Sequence, residues 1–98
     1  MNKGFSGDSL ITINLAPPFK KSKETFNFTM ELPRDNMTLK DLALYINKTF
    51  YNSLQVNLLD DKGFLSASFM VNGKYAPPKQ VVNKGDVVVI YKRIGGGL

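Results

Sequence analysis

A chain of 98 residues with 43% apolar and 21% charged side chains has the size and balance of one small globular domain, large enough for a modest core. It has no cysteine and no histidine, which excludes disulfides, thiolate and imidazole metal sites, and every Ser–His or Cys–His nucleophile pair. The net charge of +5 admits an acidic protein or a nucleic acid as partner, but the basic residues are scattered apart from Lys20-Lys21-Ser22-Lys23 and Lys92-Arg93.

The first residues are polar, and no apolar run approaches the ~20 residues that cross a bilayer. The expectation is a cytoplasmic protein with no membrane partner. Ser9–Leu15 opens as a strand, with Ile11, Ile13 and Leu15 alternating against Thr12 and Asn14. Pro17-Pro18 ends it, and Lys20–Lys23 follows as a solvated loop. Thr25–Leu32 alternates again, with Phe26, Phe28, Met30 and Leu32 on one face. The two runs suit an antiparallel hairpin with a long connection.

Pro33-Arg34-Asp35-Asn36 breaks the chain before a helix start at Thr38-Leu39-Lys40-Asp41. Thr38 caps the first turn, Asp41 answers it three residues on, and Met37 and Leu42 have the spacing of a hydrophobic staple. Leu39, Leu42, Ala43, Ile46 and Phe50 then form one apolar stripe of a core-facing helix. Tyr51–Ser68 has no clear period. Leu54, Val56, Leu58 and Leu59 fit a short strand or a further helical turn, and Phe64 and Leu65 fit loop anchors. Asp60-Asp61, the one adjacent acidic pair, sits in Leu59-Asp60-Asp61-Lys62-Gly63 and reads as a turn rather than an acid/base pair. No enzyme activity of the chain alone is expected.

Ser68–Ala76 is a tight hairpin around Asn72-Gly73, residues that accept the positive φ values of a type I′ turn. Pro77-Pro78 stops it, Asn83-Lys84-Gly85-Asp86 turns, and Val87–Ile94 is the last strand. That strand is apolar on both sides, Val87, Val89 and Tyr91 against Val88 and Ile90. One small helix cannot cover both sides of a sheet, so one side is expected to meet a partner. Three glycines, Gly95-Gly96-Gly97, then lead to Leu98. The expected layout is α+β: residues 1–94 as one domain of mixed sheet with one main helix on one face, and residues 95–98 as a flexible tail.

Phe69-Met70-Val71-Asn72-Gly73-Lys74, then Val81–Ile90 with its Gly85-Asp86 turn, then Gly95-Gly96-Gly97, resembles the ubiquitin-like sulfur-carrier family. Its members include the molybdopterin synthase small subunit MoaD and the thiamin-pathway carrier ThiS. The resemblance covers Phe69–Gly97 and implies a β-grasp fold. It also implies that an ATP-dependent activating enzyme of the MoeB or ThiF type adenylates the terminal carboxylate. Sulfur then converts the acyl-adenylate to a thiocarboxylate, which serves a downstream synthase large subunit. The chain itself would bind no cofactor and no metal; ATP belongs to the activating enzyme.

On this pattern Gly97 carries the activated carbonyl, Gly96 is its pair, and Gly95 adds reach. A glycine carboxylate is unhindered by a Cβ, and the glycines let extended backbone pass a narrow tunnel. Leu98 departs from the pattern and moves the carboxylate by ~3.3–3.6 Å. It is either removed by a peptidase before activation or the remnant of a purification tag. Lys92 and Arg93 are placed to steer an acidic activating enzyme, or are solvated strand-end charges. Tyr91, Ile94 and one face of the last strand are the candidate docking surface, with a core position for Tyr91 as the alternative.

Within the sulfur-carrier reading molybdopterin biosynthesis leads, with thiamin, tRNA thiolation and cysteine synthesis open. A second reading is a ubiquitin-like modifier joined to lysines through the same glycine. A third is a β-grasp interaction or RNA-binding module using Phe26, Phe28, Tyr45, Phe69 and Tyr75. Phe26 and Phe28 lie on the alternating core face, which counts against a stacking platform and leaves nucleic acid outside the expected partners.

Overall fold

The computed structural model describes residues 10–16, 26–54 and 57–92. In chain order the elements are β1 (Leu10–Ala16), β2 (Phe26–Glu31), α1 (Leu39–Leu54), β3 (Ala67–Val71), β4 (Lys74–Ala76) and β5 (Val87–Lys92). The strands form one five-stranded mixed sheet in the order β2-β1-β5-β3-β4. The last strand therefore lies in the middle, parallel to β1 and antiparallel to β3.

The register sorts the side chains. Ile13 is level with Phe28 on β2 and Val88 on β5, and Ile90 with Leu15 and Phe69. These residues share one face, and α1 covers it with Leu39, Leu42, Ala43 and Ile46. Phe28, Met30, Leu32, Phe50 and Leu65 close the margin of that core, with the rings of Phe28 and Phe50 5.2 Å apart. Among the described residues no helix is long and apolar enough to cross a membrane.

The helix starts where the capping pattern places it. The Thr38 hydroxyl accepts from the Asp41 amide at 3.1 Å, and the Asp41 carboxylate accepts from the Thr38 amide at 3.4 Å. Met37 and Leu42 are both buried. Two further amides of the first turn, Leu39 and Lys40, donate to the carbonyls of Gln80 and Pro78 at 2.9 and 2.8 Å. The segment after the Pro77-Pro78 stop thus satisfies orphan donors of the helix.

The hairpin turn also forms as expected: Asn72 and Gly73 have φ of 52° and 86°. Strand ends differ by one residue at Ala16, Phe26, Glu31 and Ala67, within the usual fraying of assigned ends. The two ends of the open Tyr51–Ser68 stretch resolve simply, with α1 running on through Leu54 and β3 beginning at Ala67. Between them Leu59 and Leu65 pair in an isolated bridge, and Leu58 is fully buried. The expected loop at Lys20–Lys23, the strand end at Arg93-Ile94 and the tail all lie outside the described residues.

Candidate functional site

The strand that leads to the glycines is held on both sides. Tyr91 is level with Ala16 of β1 and Ser68 of β3, and Lys92 with Ala67. Lys92 is the last described residue, so the chain reaches Arg93 from an interior strand rather than from a sheet edge. Arg93, Ile94, Gly95, Gly96 and Gly97, five of the expected site residues, lie outside the described residues.

Lys92 has its ammonium on the chain's own backbone. Nζ donates to the carbonyls of Asn57 and Leu59, each at 2.8 Å. The side chain belongs to the helix side of the sheet and ties the end of β5 to the loop after α1. Charge-assisted bonds of this length hold geometry well. Lys92→Met is expected to lower stability by about 1–2 kcal/mol, because two such bonds at a partly solvated site are lost. Lys92→Arg, which keeps the donors, should recover most of that. Urea unfolding of the two variants checks the expectation.

Tyr91 stands on the other face, 38% exposed. Its neighbours there follow from register. Val89 is level with Met70 of β3, and Met70 with Tyr75 of β4. The Tyr91 hydroxyl donates to the Met70 sulfur at 3.5 Å. Tyr75 is 74% exposed and Val87 is also open. On the β1–β2 side the same face turns polar, with Thr12, Asn14, Asn27 and Thr29. The side of the sheet opposite α1, on which no other described element packs, thus carries an exposed apolar patch over β4, β3 and β5, as the two-sided apolarity of the last strand predicts. Tyr91 is not a core residue. Val89 shares the expected face of the last strand with Tyr91; Met70 and Tyr75 are the members of this surface that the sequence reading does not place there, and their alternate positions on β3 and β4 are the signal that identifies them.

The third reading loses its platform. Phe69 is 1% exposed, and Phe28 packs on the core margin against Phe50. Tyr45 and Tyr75 remain exposed, on α1 and β4. Among the described residues no cluster of acids could hold a metal ion.

Asn72-Gly73 and Gly85-Asp86 turn out to be one structural device. The Asn72 side-chain amide donates to Asp86 Oδ1 at 2.9 Å, and the Asn83 amide donates to Asp86 Oδ2 at 2.9 Å. Asn72 Oδ1 accepts from the Val87 amide at 2.9 Å, and the Asn72 amide donates to the Val87 carbonyl at 2.8 Å. Gly85, with φ of 87°, donates its amide to the Leu10 carbonyl at 2.8 Å. The hairpin turn and the turn before β5 therefore lock together and seat the start of the last strand. They act at the start of β5, the end opposite Lys92.

No family model matches the chain, and no curated protein matches it. Solved structures do. A crystal structure of small archaeal modifier protein 1 from Haloferax volcanii superposes with a TM-score of 0.62 at 15% identity, covering 88% of this chain and 99% of that one. A second crystal structure of the same protein gives a TM-score of 0.60 at 17% identity, covering 90% and 99%. The solution structure of the Haloferax volcanii HVO 2177 protein gives 0.54 at 15%, covering 97% and 94%.

The chain is a ubiquitin-like β-grasp.

In this β-grasp one layer is the helix and the other is the sheet, and the uncovered sheet face is the broad surface beside the strand that leads to the glycines. The loop after α1 adds a second built feature. Asp60 Oδ1 accepts from the amides of Lys62 and Phe64, each at 2.9 Å, and the Asp60 amide donates to the Phe64 carbonyl at 2.7 Å. The Phe64 amide holds the Asp60 carboxyl below the usual carboxylate value; desolvation opposes it, and the amide and charge of Lys62 add to the lowering. A depressed folded-state value stabilises the turn above the unfolded value, and that contribution fades as pH falls through it. The window therefore lies below ~pH 4. Amide NMR shifts of Lys62 and Phe64 should titrate with a midpoint below ~3.9; a midpoint at or above that contradicts the bracket.

Proposed function

We propose that this β-grasp protein is a carrier whose Gly97, once the Gly97–Leu98 bond is hydrolysed or Leu98 is absent and its carboxylate is free, is activated by an ATP-dependent adenylating enzyme and converted to a thiocarboxylate. The single observation that supports this most is the placement of β5. The strand running into Arg93-Ile94-Gly95-Gly96-Gly97 is interior, paired on both sides, and flanked by an uncovered apolar face. A partner gripping that face would hold the root of the terminal segment at a fixed point. Fixing the root reduces the ordering that the terminal peptide must undergo on entering an active site.

The chemistry asks little of the carrier. The Gly97 carboxylate attacks the α-phosphorus of ATP, pyrophosphate leaves, and an acyl-adenylate remains. A sulfide-level sulfur nucleophile then attacks the acyl carbon and displaces AMP, leaving the terminal thiocarboxylate; where the sulfur arrives as a donor's persulfide, a thiol of the activating system cleaves the resulting acyl disulfide and ends as a mixed disulfide with that donor. Neither step needs an acid, base or metal from this chain, and its lack of histidine and cysteine suits that role. Of the pathways that use such a donor, molybdopterin biosynthesis is the one we propose, with a synthase large subunit as the acceptor.

A second reading has its own support. The solved neighbours include a protein named as a modifier, and a modifier uses the same adenylate but passes the acyl group to a lysine amine. One experiment separates the two. The chain ending at Gly97 is incubated with its activating enzyme, ATP and a sulfur donor, and its intact mass is recorded. Exchange of one terminal oxygen for sulfur is the expected result. Isopeptide-linked Gly97 remnants on other proteins, with no sulfur gained, favour the modifier; neither product contradicts both.

A further inference from the structure

The helix side of the molecule carries a second surface, unconnected with the terminal chemistry. Phe64 is 67% exposed, yet its position is fixed by the Asp60 bracket around it. The loop that bears it is itself anchored. The Leu58 amide donates to Asn47 of α1 at 2.6 Å, the Ser66 amide donates to the Leu58 carbonyl at 2.7 Å, and Lys92 holds the carbonyls of Asn57 and Leu59. Phe64 lines a shallow groove with Leu44 of α1, Leu65, Gly63, Pro78 and Lys40. A large aromatic displayed on a rigid turn beside two leucines and a proline loses little further freedom on binding. Such a group is a typical interface anchor.

The charges around the groove have one sign in excess. Lys40 lines it, and Lys48 lies four residues beyond Leu44 on the same helical stripe, as Lys40 lies four before it. Lys62 and Lys79 adjoin Gly63 and Pro78 in the chain and are exposed. Of the nearby acids, Asp41 is paired with Arg34, while Asp60 and Asp61 are both exposed carboxylates of the turn, so the four lysines Lys40, Lys48, Lys62 and Lys79 still outnumber the unpaired acids by two. Aliphatic walls and a proline suit an inserted side chain better than a flat base, which favours a peptide over a nucleic acid.

We propose that this groove docks an acidic peptide segment of a partner protein. The segment inserts one aliphatic or aromatic side chain between Leu44, Phe64, Leu65 and Pro78, while its flanking carboxylates meet Lys40 and its neighbours. The surface lies on the helix side and the Val89–Tyr91 patch on the opposite face of the sheet, so both can be occupied together.

The probe is a peptide-display library selected against the folded full chain, followed by NMR titration of the strongest synthetic peptide. The expected result is enrichment of sequences with one large apolar residue flanked by Asp or Glu. Amide shifts should then centre on Leu44, Phe64 and Leu65. Affinity should fall at least about tenfold in Phe64→Ser and in Lys40→Glu, the loss of roughly one anchor contact, and stay unchanged in Val89→Arg. Phe64 is exposed, so Phe64→Ser should keep the wild-type amide spectrum elsewhere. The proposal is overturned by no enrichment, by enriched peptides without acids, by shifts centred on Val89 and Tyr91, or by affinity indifferent to both groove variants. Shifts of the same groove residues with oligouridine but not with any selected peptide overturn it as well.

Discussion

Asp86→Ala is expected to destabilise the fold by about 3 kcal/mol, the loss of two hydrogen bonds to a charged acceptor at ~1.5 kcal/mol or more each. Asp86 is 9% exposed and accepts from both the Asn72 side chain and the Asn83 amide. Alanine leaves both donors without that partner and unlocks the hairpin turn from the start of β5. For a domain of this size each kcal/mol moves the melting midpoint by ~4–8 °C, so a fall of roughly 12–24 °C is expected. Asp86→Asn should fall between, because one of its two side-chain atoms must present a donor to another donor. Thermal and urea unfolding of the two variants test this. A loss below about 1 kcal/mol for the alanine variant would mean that the network is only peripheral to the seating of the strand.

The second large effect concerns the uncovered sheet face. Val89 lies midway along the β5 edge of the apolar patch, level with Met70 of β3 on one side and with the polar Asn14 of β1 on the other. An arginine there projects toward solvent in the free protein but must be buried when a partner covers the face. Loss of an anchor in an interface is worth about 2 kcal/mol or more, which is roughly a thirtyfold fall in kcat/KM for activation. The melting midpoint should move far less than in Asp86→Ala. A normal kcat/KM for Val89→Arg would place the activating enzyme on another surface.

These two sites differ in how plainly the sequence shows them. Strict alternation in β1 and β2 places Ile13 and Phe28 on one face, whereas β5 is apolar on both sides and its register decides that Val88 and Ile90 join them; the Thr38–Asp41 box marks the helix start within a residue. Asn72-Gly73 demands a turn that tolerates positive φ, and its place in the fold follows. What remained hidden is the polar engineering that crosses long sequence distances. The loop between α1 and β3 is anchored by Asn47 and Lys92, with Lys92 lying 35 residues from Asn57, whereas the Asp60 turn within it is local and legible. Bonds from side chains to a distant main chain impose no period, so the rest of Tyr51–Ser68 offers no pattern to read. The same distance concealed the real work of Asn72 and Asp86. They pointed to a family through their sequence, yet the structure uses them to clamp two turns.

Lys92 shows the converse. Its position before the glycines suggests a charge offered to a partner, but the ammonium is spent on the Asn57 and Leu59 carbonyls. The terminal chemistry itself rests on residues outside those the structure describes, and its support is the sequence of the tail together with the strand that precedes it.

The most direct measurement is ATP–pyrophosphate exchange by the cognate activating enzyme with three versions of the chain, ending at Lys92, Gly97 and Leu98. Exchange that requires the chain ending at Gly97, and is absent with the Lys92 and Leu98 termini, is the result expected if Gly97 carries the activated carboxylate. Equal exchange with the Gly97 and Leu98 termini, or none with any of the three, would contradict it.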